Sequence, residues 1–267
     1  MSERDVVERT EFPITGDILR RDLKRIGVKR GMVLFVQSSL SAIGWVCGGP
    51  MTVIDSLLGV LGDDGTLVMP CMSSDWSDPS KWENPPVPKE WWGTIRDKMP
   101  AFDKERCPIR CGMGIVAEAF RKWPNVSRSD HPTSIAALGK HAKYITSIQP
   151  WSFPLAEGSP LERCMQLGGY GLLIGTTRNT TLHLSEHLAR FDKRVITNGA
   201  PILESGKRVW KEYQEYDDYT DHFPKILEEF SGTRSCKRSK IGYAMSHLFR
   251  QSDIVEFGRA WFERELG

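Results

Sequence analysis

The chain has 267 residues, of which 40% are hydrophobic and 26% charged, with a net charge of +2. That is enough chain for a sizeable core. The near-neutral balance argues against a nucleic-acid partner, and no run approaches the roughly 18 continuous apolar residues of a membrane span. The opening residues, Met1-Ser2-Glu3-Arg4-Asp5, are charged and lack an apolar signal core, so a cytoplasmic location is expected.

Residues 14 to 27 predict a capped amphipathic helix. Thr15 or Asp17 is its cap, Ile18, Leu19, Leu23 and Ile26 form its apolar stripe, and Gly27 ends it. Met32 to Val36 is a continuous apolar run of strand length, hence a buried strand, and it ends on Gln37-Ser38-Ser39-Leu40. Serines at the carboxyl end of a buried strand are well placed to meet a ligand, although an ordinary strand-to-loop turn is the simpler account. Gly44 to Gly49 is glycine-rich, Pro50 follows, and a helix is predicted from Thr52 to about Leu61. Gly48 and Gly49 at a helix start suit a phosphate or other anion. The Lys-Ser/Thr pair of a nucleotide P-loop is missing, which argues against ATP. Thr66 to Pro70 reads as a second buried strand, so the unit is βαβ-like and the fold class α/β.

Residues 71 to 109 are rich in proline and tryptophan and read as a long functional loop carrying Asp75 and Asp78. A helix is expected from Gly112 to Lys122. Arg128-Ser129-Asp130-His131-Pro132 then leads into a small-residue strand from Ser134 to Leu138. Residues 157 to 167 predict a helix with Ser159 as cap and Pro160 at its first position. The six cysteines lack a C-x-x-C pair, and Cys107 with Cys111 is at most a weak metal hint; reduced thiols are expected.

The central stretch is Leu167 to Arg190. Gly168-Gly169 precedes a short apolar run, Leu172-Leu173-Ile174, that Gly175 stops, which reads as a buried strand. Asn179 or Thr180 can cap the helix that follows, with His183 near its start. A histidine at a helix start beyond a strand end can exchange a proton with a bound ligand. His183-Leu184-Ser185-Glu186-His187 also matches the inverted zinc-peptidase pattern H-x-x-E-H, and an amphipathic helix with surface histidines is the bland alternative. Further on, Pro201 to Val209 reads as a hairpin around Ser205-Gly206. Glu212 to Asp221 reads as a strand presenting carboxylates, and Arg234 to Lys240 as a solvated basic run. The amphipathic segments Gly242 to Phe249 and Ile254 to Leu266 close the chain. Without an internal repeat, linker or composition break, residues 1–267 read as a single domain.

Taken in order, several pieces resemble the aminoglycoside N3-acetyltransferase family from about Gly16 to Phe262. They are Ser38-Ser39-Leu40, Gly44 with Gly48-Gly49, Gly65 to Pro70, Trp123-Pro124, Arg128-Ser129 with His131-Pro132, and Gly158-Ser159-Pro160. Gly168-Gly169 and Asn179-Thr180-Thr181-Leu182-His183-Leu184 with Glu186 continue the series. The resemblance implies a large mixed β-sheet covered by helices on both faces. It implies transfer of acetyl from acetyl-CoA to a primary amine, the 3-amino group of an aminoglycoside, with no metal. The family pattern Leu-His-x-Ala-Glu needs no second histidine, so His187 is incidental to it. The chain departs from the family at Gln37, where histidine is usual, and at Ser185, where alanine is usual.

With the resemblance, His183 is the expected general base, and Glu215 in the acidic strand is the carboxylate expected to orient it. Asp217 shares the strand face of Glu215 and joins Asp75 and Glu157, with Asp218 nearby, as expected partners of substrate ammonium groups. Ser38 and Ser39 are expected at the thioester oxygen, and Gly48, Gly49, Arg128 and Ser129 along the cofactor. The expected partner is a small-molecule amine, antibiotic or not, with no nucleic acid or membrane and with a homodimer allowed. Two rival expectations are a hydrolase using Ser38 or Ser39 with His183, which lacks G-x-S-x-G, and a binding protein without turnover. The other common acetyltransferase fold needs Gln or Arg where Ile109 stands before Gly112-Met113-Gly114.

Overall fold

The computed structural model describes residues 2–109, 112–217 and 219–267. The strands among them are β1 Val33–Ser38, β2 Thr66–Pro70, β3 Ser127–Arg128, β4 Ile135–Gly139, β5 Tyr170–Ile174, β6 Val195–Glu204, β7 Lys207–Tyr216, β8 Cys236–Ile241 and β9 Ala244–Arg250. The α-helices are α1 Glu3–Glu8, α2 Gly16–Ile26, α3 Leu40–Ile43, α4 Gly49–Leu61, α5 Trp92–Lys98, α6 Ile115–Arg121, α7 Ala142–Thr146, α8 Pro160–Gln166, α9 Leu182–Leu188, α10 Phe223–Ser231 and α11 Gln251–Glu265. No described helix is long and apolar enough to cross a membrane.

One seven-stranded sheet runs in the order β3-β4-β2-β1-β5-β9-β8, and β6 pairs with β7 as a separate hairpin. β1 is parallel to both β2 and β5, whereas β4 and β9 run antiparallel to their neighbours, so the sheet is mixed. Alternate residues of the central strands bury on opposite faces. Leu34, Val36, Leu67 and Met69 pack with α2, α4 and α6. Val33, Phe35 and Val68 pack with residues of α7, α8, α9 and α11. Burial on both sides is why β1 and β2 read as continuous apolar runs rather than alternating ones.

Local signals place several boundaries. Thr15 Oγ1 accepts from Ile18 N at 3.4 Å to start α2, and Gly27 closes it in the left-handed conformation. Ser159 Oγ accepts from Glu162 N at 3.2 Å at the start of α8. Ser205 and Gly206, at φ of 51° and 77°, turn β6 into β7. Three readings change. The 71–109 stretch is not one loop but contains α5. The acidic run leaves the strand after Tyr216 and enters a short 3₁₀ turn at Thr220–His222. The basic run forms most of β8, the exposed edge of the sheet, where Lys237, Arg238 and Lys240 discourage edge-to-edge pairing.

The hairpin docks on the sheet end through an aromatic cluster. His131 is fully buried, with its ring 4.7 Å from that of Trp151 and 5.2 Å from that of Tyr213. Its Nδ1 accepts from Thr133 N at 2.9 Å, and burial pulls its pKa down from 6.5 to about 3. The folded state holds this ring neutral, whereas the unfolded chain protonates it below about 6.5. Its contribution to stability is therefore complete above 6.5 and is lost as pH falls toward 3. Wild type should lose about 2 kcal/mol from this source between pH 6.5 and 5. In urea unfolding at both pH values, a His131→Phe variant should lack that part of the slope; an unchanged slope would contradict the assignment.

Candidate active site

The chain leaves β1 toward β2 on one side, while β5 lies parallel on the other. The carboxyl ends of β1 and β5 therefore flank a topological switch point, where open α/β sheets leave a crevice. Ser38 stands opposite Ile174 in the register, and Ser39 N donates to Ile174 O at 2.9 Å. A cavity of about 1300 Å³ opens here, lined by Ser38, Ser39, Gly49, Arg178 and Tyr243 among others. The start of α4 reaches it. Gly48 enters that helix at φ 81°, and a Cβ there would lie 2.4 Å from Thr52 Oγ1, which donates to Cys47 O. The helix begins at Gly49, three residues before the predicted Thr52, so its first turn belongs to the cavity wall.

Beyond β5, a polar turn sets the start of α9. Thr180 N donates to Gln37 Oε1 at 2.8 Å, and Thr181 N donates to Asn179 Oδ1 at 3.2 Å. Gln37, the departure from the family pattern, thus ties the end of β1 to the turn that presents His183. The far end of α9 is closed by Lys193, whose Nζ donates to the carbonyls of Glu186, His187 and Ala189 at 3.0, 2.8 and 2.8 Å. A cation at a helix C-terminus both caps it and complements its dipole.

On this short, doubly tied helix, His183 Nδ1 meets Glu186 Oε2 at 3.0 Å. The Glu186 side chain is 5% exposed and that of His183 27%, so the carboxylate is inside and the ring remains reachable. An ionised carboxylate only accepts, so Nδ1 carries the hydrogen and Nε2 is left as the basic nitrogen. The Phe223 ring supports the imidazole edge-on at 5.0 Å. The second histidine of H-x-x-E-H has different surroundings: His187 lies by Phe153 and Tyr216, and burial, then Lys193, lowers its pKa.

The carboxylate expected at His183 was Glu215, and the structure brings Glu186 there instead. Residues three apart on a helix share a face, so Glu186 needs no tertiary arrangement to reach the ring. Glu215 Oε1 instead accepts from Asn198 Nδ2 at 2.6 Å, and Asn198 Oδ1 accepts from Asp78 N at 3.0 Å. Asn198 thus joins the end of β7 to the 71–109 stretch. Asp78 is bound by Arg96 at 2.8 Å; burial would raise its pKa, but Arg96 and Ser80 outweigh this and lower it. Asp217 follows the strand and lies 3.3 Å from Arg194. Asp75 is half-buried, and Glu157 is exposed at a position where its charge acts on His187. Asp218 and Cys111 lie outside the described residues.

Arg128 and Ser129 are corrected from cofactor contacts to internal ties. Arg128 is 4% exposed. Its guanidinium donates to Ser134 Oγ, Lys104 O, Cys107 O, Cys71 O and Ser73 Oγ at 2.6–2.8 Å, which uses every donor it has. Ser129 is fully buried, and its Oγ donates to Gln149 Oε1 at 2.6 Å. Neither has anything left for a phosphate. The reading of the sequence missed Glu186 as the histidine's partner, Asn198, and Arg178 on the cavity wall. Only the first had a local signal, the three-residue spacing from His183.

Comparison with known proteins identifies the family of the chain. A family model described as aminoglycoside 3-N-acetyltransferase matches residues 35–263. The chain is 43% identical to the SPbeta prophage-derived aminoglycoside N(3')-acetyltransferase-like protein YokD of Bacillus subtilis (strain 168), covering 97% of this chain and 96% of the relative. It is 36% identical to aminoglycoside N(3)-acetyltransferase VII of Streptomyces paromomycinus, covering 100% and 98%. The crystal structure of YokD superposes with a TM-score of 0.95 at 42% identity over 98% of both chains. AAC-IIIb in a binary complex with CoASH gives 0.85 at 29% identity, covering 96% and 98%. AAC-VIa bound to sisomicin gives 0.86 at 30% identity, covering 96% and 100%. The chain therefore belongs to the aminoglycoside 3-N-acetyltransferase family of acyltransferases.

Proposed function

We propose that the protein transfers acetyl from acetyl-CoA directly to the 3-amino group of an aminoglycoside, with His183 as general base. The carrying observation is the His183–Glu186 pair on α9, the helix that follows the turn after β5; that turn, through Thr176, Thr177 and Arg178, lines a cavity large enough for an extended cofactor. The CoA-bound and sisomicin-bound relatives support the substrate classes. An alkyl ammonium has no lone pair and at pH 7 most such amines are protonated, so the acceptor needs a base. The acceptor reacts as its neutral amine, the ammonium proton having passed to solvent, and Nε2 of His183 takes a further proton from that amine as nitrogen attacks the thioester carbon. The C–N bond forms, the carbonyl oxygen becomes an oxyanion near the Ser38–Ser39 donors, and the C–S bond then breaks. The imidazolium returns its proton to the leaving thiolate, so enzyme and charge are restored. Glu186 fixes the tautomer and stabilises the imidazolium. Ser38 and Ser39 act here as oxyanion donors rather than as nucleophiles.

Asp75, Glu157, Glu215 and Asp217 supply negative charge for the other ammonium groups of the acceptor. Arg194, whose side chain is 76% exposed, is a weak competitor for Asp217 and yields to a substrate cation. Steady-state kinetics with sisomicin and acetyl-CoA test the reading. Glu215→Gln and Asp217→Asn should each raise KM for sisomicin by about 10-fold, the size of one charge-assisted hydrogen bond, and leave KM for acetyl-CoA within about twofold. Equal effects on both substrates would count against an acidic acceptor side. Thiol release at the same rate without any amine would favour the hydrolase.

A further inference from the structure

The β6–β7 hairpin is a sheet of its own, so no strand ladder to the seven-stranded sheet fixes its place. One part of it is held at the rings of His131, Trp151 and Tyr213. A second group of rings, His187, Phe153 and Tyr216, lies at the end of β7. The Phe153 and Tyr216 rings are 4.7 Å apart, and that of His187 is 6.3 Å from the first and 5.9 Å from the second. Each comes from a different segment: α9, the turn before α8, and the last residue of β7.

The turn before α8 grips β7 at one residue. Phe153 N donates to Gln214 O at 2.7 Å, and Gln214 N donates to Ser152 Oγ at 3.1 Å. Phe153 has φ 53°, a left-handed conformation that a bulky residue rarely adopts, so its ring is aimed at a cost in backbone energy. Tyr213 and Tyr216 are three apart on the strand and point to opposite faces. Trp151 packs on the first and Phe153 on the second, so residues 151–153 hold both faces of β7. Lys193 completes the joint. Its Nζ, which caps α9, lies 4.7 Å from the centre of the Tyr216 ring. His187 Nδ1 is buried without a hydrogen-bond partner among the described residues, so it is packing that holds this side of the ring.

His187 is about one helical turn from His183, and Tyr216 is next to Glu215. We propose that His187 is a positioning residue. Through Phe153 and Tyr216 it docks the end of β7 on α9, and so sets Glu215, which receives an acceptor ammonium, relative to the base on His183. The inference rests on the acceptor role of Glu215, and it gives a task to the second histidine of H-x-x-E-H.

Steady-state kinetics with sisomicin and acetyl-CoA test it. His187→Leu keeps apolar volume but removes the ring. It should raise KM for sisomicin by about 5-fold, within the roughly 10-fold expected of Glu215→Gln, and leave KM for acetyl-CoA within about twofold. Tyr216→Leu, on the other side of the contact, should give the same pattern. His187→Phe keeps a ring and should stay within about twofold of wild type for both substrates. When His187→Leu is combined with Glu215→Gln, KM for sisomicin should match that of Glu215→Gln alone, because the ring acts through the carboxylate. Losses that multiply in the double variant, or that fall equally on both substrates, would overturn the positioning role alone. So would unchanged kinetics in His187→Leu, or a His187→Phe variant as impaired as His187→Leu. Glu215→Gln without effect on KM for sisomicin would overturn the acceptor role of Glu215, and the positioning role with it.

Discussion

Replacing His183 with alanine should lower kcat by about 10²–10⁴ and leave the affinity for CoA unchanged, the usual size of a lost general base. The ring sits on a helix that is tied at both ends by other residues, Gln37 at its start and Lys193 at its end, so the fold does not depend on the imidazole. Glu186→Gln keeps the shape but removes the charge behind Nδ1, and it should also slow turnover. The two substitutions should be less than additive, because base and carboxylate act as one unit. Normal turnover of His183→Ala, measured by thiol release, would refute the role of the histidine. Glu215→Gln should behave differently, since its carboxylate is bonded by Asn198; its effect belongs in the KM of the acceptor.

The second large effect is structural. Arg128→Leu should destabilise the protein by on the order of 3–5 kcal/mol in urea unfolding, because it strands buried acceptors from three separate segments at once. The carbonyls of Cys71, Lys104 and Cys107 all lose the same donor. Arg128→Lys should recover little, since an ammonium cannot supply a planar fork of five donors. A stable Arg128→Leu protein with selectively weakened CoA binding would instead return this residue to the cofactor.

These two residues mark how far the sequence can be read. Helix α2, strands β1 and β2 and the turn at Ser205-Gly206 are visible because their signals are local: a period, a cap, a pair of turn residues. The His183–Glu186 pair is equally local, since residues three apart share a helix face, whereas Glu215 is tied to His183 only by the resemblance to a family. Arg128 is the opposite case. Its bond to Cys71 O spans 57 positions, and no pattern around Arg128-Ser129 distinguishes a residue that ties a loop from one that meets a phosphate. Helix α5 was hidden for a related reason. None of its residues is buried, so it has no apolar stripe to give a period. Arg178 became visible only when the sheet order set the turn after β5 beside Gly112 and the start of α4.

The product of one reaction decides whether the protein transfers acetyl to the 3-amino group. Incubation with acetyl-CoA and sisomicin, followed by mass spectrometry and NMR of the acceptor, should show a single acetyl group on the 3-amino nitrogen and one equivalent of free CoA thiol. Acetylation at another amine, or thiol release with unmodified sisomicin, would contradict it.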